Sequence, residues 1–159
     1  MTNLHHLAGE SVKKALDRGL TVATAESLTA GMVSAILADT AGASGMLQGG
    51  VVAYQNSVKT DVLGVPPELL AAVGSVDGDV AAAMAAGARA ALGSDIAVAT
   101  TGVAGPDDHD GKPVGTVYIG IATADGTASF DYGFSGSRAE IRGQACGAAL
   151  ERLLAALSS

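Results

Sequence analysis

The sequence predicts an α/β sandwich with a mostly parallel sheet, one antiparallel strand and cover on both sheet faces. Three observations carry this. Short apolar, β-branched runs alternate with helical stretches through the first two thirds of the chain. A hairpin pattern comes late, around Asp125-Gly126. The early strands are short and apolar, as strands buried on both faces are.

The elements follow in order. Leu4 to Arg18 reads as an amphipathic helix with Leu4, Leu7, Ala8, Val12, Ala15 and Leu16 near one face, and Gly19 stops it. Leu20 to Ala25 is the first strand. Thr29 to Ala38 is a helix, ended by the turn Asp39-Thr40-Ala41-Gly42. Leu47 to Tyr54 is the second strand, weakened by Gly49 and Gly50. Gln55 to Leu63 is a short helix, and Pro66 starts another over Glu68 to Val73. Asp77 or Asp79 caps an alanine-rich helix, Val80 to Leu92. Ile96 to Thr100 is the third strand and Gly102 to Pro113 a loop. Gly115 to Thr123 and Thr127 to Phe134 form the hairpin, and Ser137 to Leu157 is a long closing helix. Gly49, Gly50, Gly102 and Gly105 are expected at strand ends or turns, where ligands approach backbone.

The chain has 159 residues, enough for one domain over 1–159 with one sizeable core. It is 48% hydrophobic but only 3% aromatic, so Ala, Val, Leu and Ile must build that core. A net charge of −7 argues against general nucleic-acid binding, and stacking platforms for single strands are nearly missing. No run of 18 apolar residues is present, so no membrane span is expected. The first residues, Met1 to His6, lack a basic region followed by an apolar run, so no secretory signal is expected and a cytoplasmic location follows as the default. Cys146 is the single cysteine, so no intrachain disulfide forms, and its small neighbours make it a buried hydrophobe.

Lys59 is the most informative residue. From Gly19 to Val58 there is no Lys or Arg, and the only carboxylates are Glu26 and Asp39. An amine beside such a hydroxyl-rich, nearly uncharged stretch loses hydration, which favours its neutral, basic form. Five polar clusters surround this reading, and each has a bland alternative. Ser27 and Thr29, at a strand-to-helix turn, either cap the helix or present its N-terminus to an anion. Ser44, among Ala and Gly, is either turn chemistry or an accessible nucleophile. Tyr54 either takes part in catalysis, by orienting a substrate or relaying a proton, or edges the core. Thr101 and Gly102 open either a plain turn or a ligand-binding one. Arg138 and Arg142 share one helical face, either as ordinary surface or as a phosphate grip.

The acids Asp107, Asp108 and Asp110 with His109 form a solvated loop more readily than a metal site. His5 and His6 lie near the terminus, so a serine–histidine–aspartate triad is poorly supported. If the chain performs covalent hydrolysis, a serine with a lysine base is the arrangement left.

In this order, the clusters resemble the CinA carboxy-terminal family, the nicotinamide-nucleotide amidohydrolases. The carrying segments are Ala25-Glu26-Ser27-Leu28-Thr29, Gly49 to Lys59, Thr101 to Pro106, Lys112 to Val117 and Phe134 to Arg138, and the match runs from about Leu4 to Leu157. The resemblance implies a three-layer α/β/α sandwich with a mixed, mostly parallel sheet of about five strands, assembled as a homodimer or larger homo-oligomer. It implies hydrolysis of nicotinamide mononucleotide to nicotinate mononucleotide and ammonia, a step of pyridine-nucleotide salvage. It places the nucleophile at Ser44 and the base at Lys59, with Ser27, Tyr54, Thr101 and Arg142 in support. Arg138 competes with Arg142 for the phosphate, and Thr29 and Gly102 join the substrate-binding set. No cofactor and no metal are implied. The sequence departs from the family at Ala30-Gly31, where two glycines are usual. The separate pyrophosphatase activity of longer members is not expected here. The alternatives are a catalytically silent nucleotide-binding or regulatory module and a metal-dependent hydrolase using the 107–110 loop.

Overall fold

The computed structural model describes residues 3–159; the first two residues of the signal-peptide reading, Met1 and Thr2, lie outside the described residues. The chain forms α1 (Leu4–Arg18), β1 (Val22–Glu26), α2 (Met32–Ala38), β2 (Leu47–Val52), α3 (Asn56–Asp61), α4 (Pro67–Val73), α5 (Gly78–Leu92), β3 (Ile96–Gly102), β4 (Thr116–Thr123), β5 (Gly126–Gly133) and α6 (Arg138–Ser158). A short 3₁₀ turn, Ala43–Gly45, precedes β2.

Local chemistry sets the boundaries. Gly19 ends α1 in the left-handed region, at φ 66°. Asp77 caps α5 through the Asp79 N–H. Ser137 and Glu140 close a capping box at the start of α6. α2 starts three residues later than its apolar pattern predicts, because Ala30 and Gly31 have φ of 50° and 101° and cannot belong to a right-handed helix.

The five strands are ordered β2-β1-β3-β4-β5. β2, β1 and β3 pair in parallel, β4 runs antiparallel to β3, and β5 runs antiparallel to β4. β4 is therefore the one reversed strand, as the late hairpin predicts. α1, α2 and α6 cover one face through Val12, Val33, Leu37, Ile141, Leu150 and Leu153. α5 covers the other through Val80, Met84, Ala85 and Ala88, joined by Leu63 and Val65.

Small residues replace aromatics in this core. Gly120 of β4 lets α5 approach so closely that a Cβ there would lie 2.1 Å from the Ala81 carbonyl oxygen. Gly49 and Gly50 fall inside β2 and not at its end, which corrects the expectation. A Cβ at Gly50 would lie 2.2 Å from Thr24 Oγ1 and 2.6 Å from Ser34 Oγ, so the missing side chain makes room for two hydroxyls, that of buried Thr24 and that of half-buried Ser34. Among the described residues no helix is long and apolar enough to cross a membrane.

Candidate active site

Strand order reverses between β1 and β3: the chain leaves β1 for β2 on one side and later returns to β3 on the other. Ligand crevices in open α/β sheets form at such a point, beyond the carboxyl ends of the strands. A cavity of about 460 Å³ lies there, lined by Ser27 after β1, Tyr54 and Lys59 after β2, Thr101 and Gly102 at the end of β3, and Arg138 at the start of α6. Its volume falls in the usual range for small-molecule sites.

Lys59 is the best-defined group in it. β2 ends when the Ala53 N–H donates to the Glu26 carbonyl, which lays Ala53 and Tyr54 beside the end of β1. α3 then turns back, and Lys59 points inward with 1% of its surface exposed. Its Nζ contacts Ala53 O at 2.8 Å, Ser27 Oγ at 3.1 Å and Tyr54 O at 3.2 Å. Among the described residues no carboxylate joins it at these distances, and burial pulls its pKa down from 10.5 to about 8. An ammonium fills all three contacts as donor. A neutral amine has two N–H bonds and one lone pair, and carbonyls can only accept. In the neutral state the two carbonyls therefore take the N–H bonds, and the lone pair faces the Ser27 hydroxyl, the one partner that can give a proton.

The walls are hydrogen-bonded frames. Thr101 Oγ1 donates to Ser75 O, and the Ser75 N–H and hydroxyl both donate to Asp110 Oδ2. Those bonds hold the Asp110 carboxyl below its ordinary pKa and tie the 107–110 loop over the cavity. Asp108 accepts from the Val114 N–H. Among the described residues no three His, Cys, Asp or Glu side chains converge as a metal site would require. Arg138 donates to Gly105 O and, at 2.9 Å, to the Tyr54 hydroxyl, so it spans the cavity mouth.

Ser44 is the main correction. It is exposed on the 3₁₀ turn before β2. The next residues bond to the start of β1: Val22 N donates to Met46 O, and Val22 pairs with Leu47. Lys59 reaches Ser27, beyond the opposite end of β1. The five residues of β1 lie between, roughly 15 Å at about 3.3 Å per residue, and the parallel ladder leaves no hinge to close that gap. Ser44 and Lys59 therefore do not meet, and Ser27 occupies the position expected of Ser44.

Arg142 is the second correction. It lies outside the cavity lining; its Nε donates to Leu28 O at 2.8 Å and its Nη2 to Thr29 O at 3.2 Å, so the guanidinium grips the back of the Ser27 turn. Thr29 is the third. It is fully buried, its hydroxyl bonded to Glu26 and Thr100, so it does not reach a substrate. Glu26 is not among the residues the sequence singles out for the site, although it is one of only two carboxylates between Gly19 and Val58 and directly precedes Ser27.

The model of the CinA C-terminal domain matches residues 4–157. The chain belongs to the CinA C-terminal domain family. A CinA-like protein of Mycolicibacterium gilvum is 50% identical over 91% of the chain, and one of Frankia casuarinae is 47% identical over 89%. The chain spans about a third of the length of these relatives, 35% and 34%. The crystal structure of the competence/damage inducible protein CihA from Agrobacterium tumefaciens is 36% identical, with a TM-score of 0.93 over 98% of this chain and 96% of that one. The competence damage-inducible protein A of Klebsiella pneumoniae superposes with a TM-score of 0.94 at 33% identity, over 98% of both chains. The cavity thus sits on a CinA C-terminal domain.

Proposed function

We propose that this CinA domain is an amidohydrolase in which Ser27 is the nucleophile and Lys59 its base, converting nicotinamide mononucleotide to nicotinate mononucleotide and ammonia. The observation that carries the reading is the Lys59 amine, buried between two carbonyls and aimed at the Ser27 hydroxyl. The resemblance noted in the sequence supports the substrate, with the nucleophile moved from Ser44 to Ser27.

The steps follow from the groups present. Neutral Lys59 takes the Ser27 proton as Oγ attacks the carboxamide carbon, giving a tetrahedral oxyanion and an ammonium on Lys59. Lys59 returns the proton to the leaving nitrogen, the C–N bond breaks and ammonia departs from the acyl-enzyme. Water then attacks the ester, Lys59 accepts its proton, and return of that proton to Ser27 Oγ releases the carboxylic acid. The Leu28 N–H, next after the nucleophile, donates to no protein acceptor among the described residues. It is the oxyanion donor this reading favours, and one such donor contributes about 3 kcal/mol.

Arg138 is the phosphate partner in this reading. It lines the cavity and uses two of its five N–H bonds on Gly105 and Tyr54. Tyr54 then orients Arg138 and not the reacting carbonyl. The homo-oligomer implied by the resemblance belongs to the same proposal, and light scattering of the chain in solution tests it. The test of the reaction is ammonia release from nicotinamide mononucleotide by the unmodified chain, lost in Ser27→Ala and kept in Ser44→Ala. Binding of the nucleotide without ammonia release would replace the enzyme with a silent binding module.

A further inference from the structure

Glu26 takes no part in the steps above, yet it is the most heavily bonded side chain beneath the site. It is 1% exposed. Alternation along β1 turns it toward α2, on the face of Val22 and Thr24, away from the side on which Lys59 meets Ser27. Four donors converge on its two oxygens. Thr29 Oγ1 and Val33 N donate to Oε1 at 2.6 and 2.8 Å; Ser34 N and Ser34 Oγ donate to Oε2 at 3.0 and 2.9 Å.

Counting protons fixes the direction of every hydroxyl nearby. Thr29 spends its one hydroxyl proton on Glu26, so in its 2.8 Å contact with Thr100 Oγ1 it must accept. Thr100 then spends its own proton on Thr29 and presents a lone pair. That lone pair faces the Ser27 N–H at 3.2 Å, which also donates to Thr100 O at 3.0 Å. The chain of donors therefore runs one way, from Ser27 N–H through Thr100 and Thr29 to the carboxylate. On the other branch Ser34 spends its proton on Glu26, so Thr24 must donate to Ser34.

We infer that Glu26 is a positioning residue for the reaction, fixing the Ser27 backbone beside Lys59 through Thr29 and Thr100. The inference rests on the amidohydrolase reading with Ser27 as nucleophile. A carboxamide cannot replace the carboxylate here. If its NH₂ takes the Oε1 place, it opposes the Val33 N–H and removes the acceptor of the Thr29 hydroxyl proton, so the one-way run of donors from Ser27 is broken at Thr29. If it takes the Oε2 place, it opposes the Ser34 N–H. Thr29→Val cuts the same chain with nearly no change of shape, while Thr29→Ser keeps the hydroxyl.

The experiment measures the rate at which a small fluorophosphonate labels Ser27, located by peptide mapping, with melting temperature and ammonia-release kinetics on the same samples. Glu26→Gln and Thr29→Val are expected to label about tenfold to a hundredfold more slowly while still folded, the scale of a small misplacement of a reacting atom. Their kcat falls with KM changed less than threefold, and the pH at which the rate levels off stays that of the unmodified chain. Thr29→Ser labels at least fivefold faster than Thr29→Val. Should Glu26→Gln fail to fold, the Thr29 pair decides alone. Equal labelling of folded Thr29→Val and Thr29→Ser would overturn the inference and leave the reaction standing. An unmodified chain whose Ser27 does not label and which releases no ammonia would overturn the reaction itself, and the inference with it.

Discussion

Two serines sit in turns rich in small residues, and the sheet separates them. Ser27 follows the carboxyl end of β1, where Lys59, Thr101 and Arg138 converge. Ser44 precedes the amino end of β2, exposed beside no such group. Their sequence neighbourhoods look alike, and what differs is the end of the sheet each occupies. In a parallel sheet all chain reversals of one sense gather at one end, so a residue's side of its strand decides which partners it can meet. Small neighbours make a hydroxyl accessible, but only the strand end brings it a buried amine.

The sharpest way to break this contrast is to remove each serine in turn. Ser27→Ala is expected to abolish ammonia release, and Ser44→Ala to keep it within about twofold of the unmodified rate, since a surface change away from the site alters little. Lys59→Met comes next, with a loss of about a hundredfold to ten-thousandfold in kcat, the scale of a lost general base. Activity surviving in Ser27→Ala but not in Ser44→Ala would reverse the assignment.

The two arginines extend the comparison. Arg138→Ala is expected to raise KM about tenfold or more for the phosphorylated substrate and to leave turnover of the same substrate without its phosphate nearly unchanged. Arg142→Ala removes two charge-assisted bonds from the Ser27 turn, so kcat and stability fall together, the latter by about 1–3 kcal/mol. Steady-state kinetics with both substrates, alongside thermal melts, separate the two roles. An Arg142 effect confined to KM would return the phosphate to Arg142.

Lys59 also leaves a mark on stability. Its folded pKa is depressed to about 8, while the unfolded chain keeps the ordinary value of 10.5. Between those values the unfolded state binds more protons, so the lysine's contribution rises with pH across that window and is flat below it. Chemical unfolding of the unmodified chain and of Lys59→Met should diverge from pH 8 to 10.5, by up to about 3 kcal/mol in favour of the lysine at the upper end. The smallest expected effect is at Ala30, an exposed residue at φ 50°. Ala30→Gly relieves left-handed strain of about 1–2 kcal/mol against a glycine entropy cost of about 0.5–1 kcal/mol. A gain of about 0.5–1 kcal/mol in a denaturant melt follows, and a loss would show that Ala30 is held there without strain.

The elements were legible because their signals are local. Gly19, Asp77 and Ser137 mark helix ends by their own chemistry, and α1 and the hairpin fall within a residue or two of the pattern. Lys59 was legible too, since forty uncharged or acidic positions before it leave an amine without a nearby cation to share its surroundings. The pairing of Lys59 with Ser27 was not, because strand order is non-local: nothing between Gly42 and Lys59 says that β2 lies on the outer side of β1. The arginines failed for a related reason. Four residues apart on α6 they share a face, but the helix begins at the cavity rim, so Arg138 reaches the mouth while Arg142 lies a turn deeper, behind the Ser27 loop. Thr29 sat one residue too far into the turn, where its hydroxyl meets Glu26 instead of solvent.

The central claim is that an uncharged, buried Lys59 takes the Ser27 proton, and the pH dependence of kcat/KM for ammonia release tests it most directly. A tenfold rise per pH unit is expected up to an inflection near 8, then a plateau, with the rise absent from the residual activity of Lys59→Met. A profile flat from pH 6 to 9, or one that keeps its inflection when Lys59 is replaced, would contradict it.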